Sequence, residues 1–389
     1  MWKKGLSVAE FKEGQSKTIT GNTARIILKA FAIFAIINII FAVLYPLHAL
    51  GSVSAYNLIF PGRMRLPYGD DPAKSYNLSL YNLDAMFASH EISGGEKDVD
   101  EYRVILVGDS ATWGFLLQPE QTVSGYLNKQ NIKMPDGKRL RAYNLGYPVM
   151  SLTKDLLFLQ RALQYEPDLI IWPLTLESFP KDKQLYPPLL QKNPEAVREL
   201  ADLTGLKYKM ESLEFESPPL WERTIPGSRR SLADLVRLQI YGVMWAATGV
   251  DQDIPDTFNP RMEDLPDDSG FHSQRHPDLE EDELAFEVIQ AGIELAGNTP
   301  VMIINEPVFI SSGANSNIRY NFYYPRWAFD SYRKKMFELS ESNNWIYKDY
   351  WDKINPSEFT NSAIHMTPKG TEEYASSITR AILAINKNE

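Results

Sequence analysis

Two hydrophobic patterns divide the chain. From Ala30 to about Ala49 almost every residue is apolar, Asn38 and His48 being the polar exceptions, and no charged residue occurs between Lys29 and Arg63. From Tyr102 onward, short apolar runs alternate with segments whose apolar residues recur at helical spacing. The runs Arg103–Val107, Arg141–Asn144, Asp168–Leu174, Pro300–Asn305 and Asn344–Tyr347 read as strands. Segments at about Glu120–Asn131, Lys154–Tyr165, Leu284–Gly297, Ala328–Ser342 and Pro368–Ile385 read as helices. Strands alternating with helices imply βαβ units. Near-continuous apolar strands imply a parallel sheet buried on both faces. The alternation lapses between Phe179 and about Glu283. That stretch is rich in proline and charge and holds two amphipathic pieces, Glu195–Leu206 and Ser231–Ala247, so it reads as a cap inserted at about 180–283. Its acidic run, Asp278–Glu283, reads as a solvated helix start rather than a metal site.

A bilayer core takes ~20 apolar residues in a helix, which residues 30–49 supply. Two other readings stay open. A buried core helix is one, although such a helix normally shows a polar face. A cleaved signal peptide is the other, although its apolar core is usually ~7–15 residues and the only small-residue cleavage candidate, around Ala49–Ser54, is weak. The first 29 residues carry six Lys or Arg against two Glu, and the remaining 360 carry 34 basic against 48 acidic residues. The positive-inside rule then puts the N-terminus in the cytoplasm. The expected organisation is a cytoplasmic tail (1–29), one transmembrane helix (30–49), a stalk (50–100) and an extracytoplasmic α/β domain (101–389), single-pass in the cell membrane.

Composition narrows the chemistry. The chain of 389 residues is long enough for a substantial core. It has no cysteine, which excludes disulfides, a thiol nucleophile and Cys-ligated metal centres. A net charge of −10 argues against general nucleic-acid binding. Only His48, His90, His272, His276 and His365 are available for imidazole chemistry.

Three strand ends carry candidate residues. The first strand runs into Gly108-Asp-Ser110-Ala-Thr-Trp-Gly114. Ligands of open α/β sheets bind beyond the carboxyl ends of strands, so Ser110 is a candidate nucleophile, although Asp-Ser is also ordinary turn chemistry. The second strand ends in Asn144-Leu-Gly146, where a glycine can offer an N–H to a ligand or simply make a turn. His365 stands in a loop before the last helix, near the edge where Ser110 is expected.

Together these pieces resemble the SGNH (GDSL-like) hydrolase superfamily, over Tyr102 to about Ile385 apart from the insertion. The first block is similar to that of its membrane-anchored acyl-esterase and acyltransferase branch, whose members act on envelope polysaccharides, often beside a membrane-bound O-acyltransferase. The resemblance implies a three-layer sandwich with a parallel central sheet. It implies Ser110 as nucleophile, His365 as general base, and the N–H groups of Ser110 and Gly146 in the oxyanion hole. The substrate would be an acylated carbohydrate or another ester, and no cofactor or metal is implied.

Two positions depart from the family pattern. Where the third block usually offers an oxyanion-donating asparagine, this chain has Glu177, whose carboxylate should pair with a cation or turn toward solvent instead. Asn305, after the fourth strand, is a further candidate donor. Where an aspartate usually orients the histidine, this chain has Ser362, so Asp352, Asp349, the Ser362 hydroxyl or a backbone carbonyl is the expected orienter. These departures keep a second reading open: a catalytically degenerate domain that binds a glycan or a membrane acyltransferase.

Overall fold

Alternation along each strand sorts the side chains into two cores. On β1 (Glu101–Gly108), Val104 and Leu106 face one way and Ile105 and Val107 the other, all fully buried. β3 (Leu169–Leu174) and β4 (Val301–Asn305) divide likewise, with Ile170, Trp172 and Ile303 on one side and Leu169, Ile171, Met302 and Ile304 on the other. With β2 (Arg139–Gly146) and β5 (Ile346–Asp349) they form one parallel sheet in the order β2-β1-β3-β4-β5. Both faces must be covered. The Ile105 face packs on the helices Leu152–Ala162, Glu287–Ala296 and Arg326–Asn343, and the Val104 face on Val123–Lys129 and Pro368–Ile385. The expected three-layer α/β sandwich is therefore present, each strand overlapping its predicted run, the fifth displaced by two residues because Asn344 still caps the preceding helix.

In this computed structural model the described residues are 8–51, 83–88, 90–208, 218–249, 257–277 and 279–386, with positions 53, 55, 59 and 254 between them. Most of the expected stalk lies outside them, as does Asp278 of the acidic run. The chain falls into two compact units, Met1–Leu50 with Ser217–Val236, and Gly51–Glu216 with Arg237–Glu389.

The first unit is built on α1 (Val8–Leu44), whose stretch Thr23–Leu44 is the one helix among the described residues long and apolar enough to cross a membrane. Its apolar side chains are largely exposed: Ile33 is 59% and Phe31 68% accessible. A core helix would hide them. Residues 218–236, part of the stretch read as a cap, belong to this first unit. There the Asn38 carboxamide oxygen accepts the Ile225 N–H at 3.0 Å, and the Arg223 guanidinium lies 5.4 Å from the Tyr45 ring centre. Two amphipathic helices occur where the sequence placed them, α2 (Pro194–Thr204) and α3 (Arg229–Thr248).

The second unit holds the sheet. Its strand order reverses direction at β1, with β2 on one side and β3 on the other. β1 and β3 pair only from Val104–Leu169 to Leu106–Ile171. Beyond that point β3 carries Pro173, which has no N–H to donate, so the two strands part at their carboxyl ends. The crevice at such a switch point is where ligands of open α/β sheets bind.

Candidate active site

The G-D-S segment acts as a compact turn at this crevice. Ser110 is the first residue of the one-turn helix Ser110–Trp113. Asp109 caps it, its side chain accepting the Ala111 N–H at 2.8 Å. Gly114 ends it in the left-handed region (φ 91°), its N–H donating to Ser110 O at 3.0 Å. Gly108 has no room for a side chain, because a Cβ there would stand 2.3 Å from Thr112 Oγ1. The spacing of the motif is thus the geometry of a tight turn that presents one serine. The Ser110 N–H belongs to the first helical turn, whose donors have no acceptor within the helix.

The His365 loop closes on itself. Thr360 N–H donates to His365 O at 2.8 Å, the Ser362 hydroxyl oxygen accepts the N–H groups of Ile364 and His365, and Arg261 from the insertion donates to Phe359 O and Thr360 O. The loop then enters the last helix through the Thr367 cap and Pro368. This brings His365 Nε2 to 2.8 Å from Ser110 Oγ, across 255 residues of sequence. Phe115 packs on the imidazole, ring centres 4.8 Å apart. Burial lowers the His365 pKa to about 4, so the ring is neutral at neutral pH.

The orienting group is none of those expected. Asn361 Oδ1 lies 2.8 Å from His365 Nδ1 and accepts a hydrogen bond from the Nδ1–H. Asp349 is instead held by Arg333 at 2.6 Å and by Asn305, Asp352 is exposed, and the Ser362 hydroxyl is committed to the loop backbone. Asn361 was not singled out in the sequence because it stands four residues before the histidine rather than three, and an asparagine in a loop is ordinary turn chemistry.

The oxyanion expectations also need correcting. The Gly146 N–H already donates to Asn144 Oδ1 at 2.9 Å. The same asparagine's amide donates to Thr112 O and Trp113 O, so Asn144 ties the serine turn to β2. Gly146 is required for close approach, since a Cβ would lie 2.2 Å from the Trp113 N atom. Asn305 is fully buried and spends its amide on Asp349 Oδ1 and its oxygen on the Tyr332 hydroxyl. Glu177 pairs with the Lys183 ammonium, and its other carboxylate oxygen lies 3.0 Å from His272 Nε2. Burial alone would raise its pKa, but hydrogen bonds from His272 and Lys183 hold it below the usual range.

A buried ionic cluster that sequence reasoning missed supports the floor of the site. Lys154 is fully buried and donates to Gly108 O at 2.7 Å and Tyr147 O at 2.5 Å, while pairing with Asp155 at 2.8 Å. It thus holds together the ends of β1 and β2. Burial raises the Asp109 pKa to about 6 against the pull of Lys154. Burial, and Asp109 and Asp155 nearby, push the Glu306 pKa well above the usual carboxylate range. Lys154 gave no signal in the sequence, because it occupies a position in an otherwise amphipathic helix.

Ser110 and His365 open into a cleft of about 700 Å³. Phe115, Leu116, Pro148 and Val149 give it an apolar side, and Thr257, Phe258 and Asn259 of the insertion complete it. Among the described residues no group of His, Asp and Glu side chains could hold a metal ion.

No family model matches the chain, and no curated protein matches it. Among solved structures it is similar to a lipolytic protein of the G-D-S-L family from Desulfitobacterium hafniense (11% identity, TM-score 0.33, 72% of this chain and 99% of that one). It is similar also to the M. smegmatis aryl esterase (12%, TM-score 0.34, 72% and 98%) and to a carbohydrate acetylesterase family member from Sinorhizobium meliloti (12%, TM-score 0.30, 72% and 99%). The second unit thus carries a parallel sheet ordered β2-β1-β3-β4-β5, with a serine turn after β1 and a histidine loop before the last helix.

Proposed function

We propose that this chain is a membrane-anchored serine acyl-esterase or O-acyltransferase whose catalytic domain lies outside the cytoplasm and acts on acylated carbohydrate. The observation that carries the chemistry is the relay Ser110–His365–Asn361, with both links at 2.8 Å, at the mouth of an open cleft. Asn361 fixes the tautomer: with the proton on Nδ1, Nε2 is free to accept the Ser110 proton. Ser110 Oγ attacks the ester carbonyl as His365 takes its proton. The alcohol leaves with that proton from Nε2, and the acyl group remains on Ser110. Water or a sugar hydroxyl then gives its proton to His365 and attacks the acyl-enzyme, which returns Ser110 to its starting state. The Ser110 N–H is the backbone donor placed for the oxyanion. No cofactor enters the scheme.

The carbohydrate reading draws on the cleft lining, where Thr257, Asn259 and Asn361 offer hydrogen bonds beside the aromatic rings of Phe115 and Phe258. The anchor reading draws on Thr23–Leu44 and on the basic residues that precede it. It places the tail inside and makes a membrane-bound O-acyltransferase a natural source or acceptor of acyl groups. The full chain in nanodiscs should hydrolyse p-nitrophenyl acetate and an O-acetylated oligosaccharide. Ser110→Ala and His365→Ala should each abolish turnover, with the double variant little worse, because members of one mechanism are non-additive. Wild-type turnover in Ser110→Ala would end the proposal.

The engagement of Gly146 and Asn305 in internal hydrogen bonds favours a second reading, a domain that binds a glycan or a membrane acyltransferase without catalysis. A folded wild-type chain with no ester turnover, but with retention of acetylated oligosaccharide, would support it.

A further inference from the structure

The first unit contains a polar residue that its setting makes costly. Asn38 is the one polar side chain inside the apolar stretch from Ala30 to Leu44, and it is 7% accessible where its neighbours are exposed. It donates to Phe34 O at 2.9 Å and accepts the Ile225 N–H at 3.0 Å. Six residues separate Asn38 from the end of α1 at Leu44, so at 1.5 Å per residue it sits ~9 Å below that end. The segment that carries Ile225 therefore reaches down the flank of the helix, and Arg223, near Tyr45, marks its upper contact. A backbone N–H placed in hydrocarbon needs an acceptor, and Asn38 supplies one. The turn beside it exposes Leu220 (62%) and Trp221 (68%). The helix that follows begins with exposed Arg229 and Arg230 and exposes Val236, Ile240 and Met244 at helical spacing.

We propose that residues 218–236 form a second membrane contact on the non-cytoplasmic leaflet, seated on α1 and inserting Leu220 and Trp221 at the boundary between headgroups and acyl chains. This rests on the reading of Thr23–Leu44 as a membrane span. Given that span, the depth of the Asn38–Ile225 hydrogen bond places the neighbouring turn in the interfacial zone, where tryptophan is enriched. The occupant of this apolar surface is lipid, and Asn38 is a docking residue for the turn.

The absence of native cysteine gives a direct test. Leu220→Cys, Trp221→Cys, Ile36→Cys and Leu203→Cys, each in the full chain, are labelled with a fluorophore. Each is reconstituted alone into phosphatidylethanolamine–phosphatidylglycerol vesicles containing shallow or deep doxyl-lipid quenchers. Ile36 reports the span, and Leu203, exposed in the second unit, reports the aqueous body. The expected result is strong quenching at Leu220 and Trp221 by the shallow quencher, strong quenching at Ile36 by the deep one, and none at Leu203. Quenching at Ile36 without quenching at Leu220 and Trp221 would overturn the inference and leave the anchor intact, as for a surface covered by a protein partner. No quenching at Ile36 would remove the anchor reading, and the inference with it.

Discussion

Asn361 Oδ1 lies 2.8 Å from His365 Nδ1, on the opposite side of the ring from the Ser110 hydroxyl. An asparagine in this place orients the imidazole but carries no charge to stabilise imidazolium. Asn361→Asp should therefore raise kcat on an aryl acetate near neutral pH. Asn361→Ala should lower it by roughly 10–100-fold, a fraction of the ~10²–10⁴ that general-base catalysis is worth. Ser362→Asp should bring no gain, because the Ser362 hydroxyl supports the loop backbone and Asn361 already holds the ring. Equal kcat values in wild type, Asn361→Asp and Asn361→Ala would show that Asn361 does not act through His365.

Burial without a neighbouring carboxylate sets the pH dependence. His365 must be neutral to accept a proton, and its pKa is lowered to about 4. Ester turnover should therefore stay level as pH falls through the ordinary histidine range and be lost only as it falls through about 4. In Asn361→Asp the new carboxylate favours imidazolium, so the acidic limb should move to higher pH. A wild-type limb near the unperturbed ~6.5 would contradict the burial of His365.

The centre of the sheet was legible in the sequence because β1, β3 and β4 are near-continuous apolar runs, and the helices because their apolar residues keep a single face. Ser110 and His365 were legible because a parallel sheet brings strand ends to one edge, however distant in sequence. The hydrogen-bond partners were not. Gly146 and Asn305 stand where oxyanion donors belong, but Asn144 and Asp349 claim them, and such pairings depend on side-chain directions that spacing does not encode. Asn361 was hidden by one residue of loop geometry. The seating of residues 218–236 on α1 was equally out of reach, since Asn38 looks like a lone blemish in an apolar run until its partner Ile225 is placed beside it.

Lys154 ties Gly108 O and Tyr147 O together beneath the serine turn and balances Asp155. Removing one partner of a buried ionic group leaves the others uncompensated, at a cost of about 3–5 kcal/mol. Lys154→Met should lower the denaturant midpoint accordingly. An unchanged midpoint would mean that the carbonyls and Asp155 are satisfied without it.

Gly146→Ala keeps the N–H but adds a Cβ 2.2 Å from the Trp113 N atom. The serine turn must then shift, so ester turnover should collapse and thermal stability fall together. Wild-type behaviour in this variant would refute the close-packing role given to Gly146.

Covalent labelling decides whether Ser110 is an activated nucleophile. The folded full chain is treated with a fluorophosphonate, digested and mapped by mass spectrometry. One adduct is expected, on the peptide containing Ser110, lost in Ser110→Ala and strongly slowed in His365→Ala. No adduct on the folded wild-type chain, or an adduct that persists in Ser110→Ala, would contradict that role.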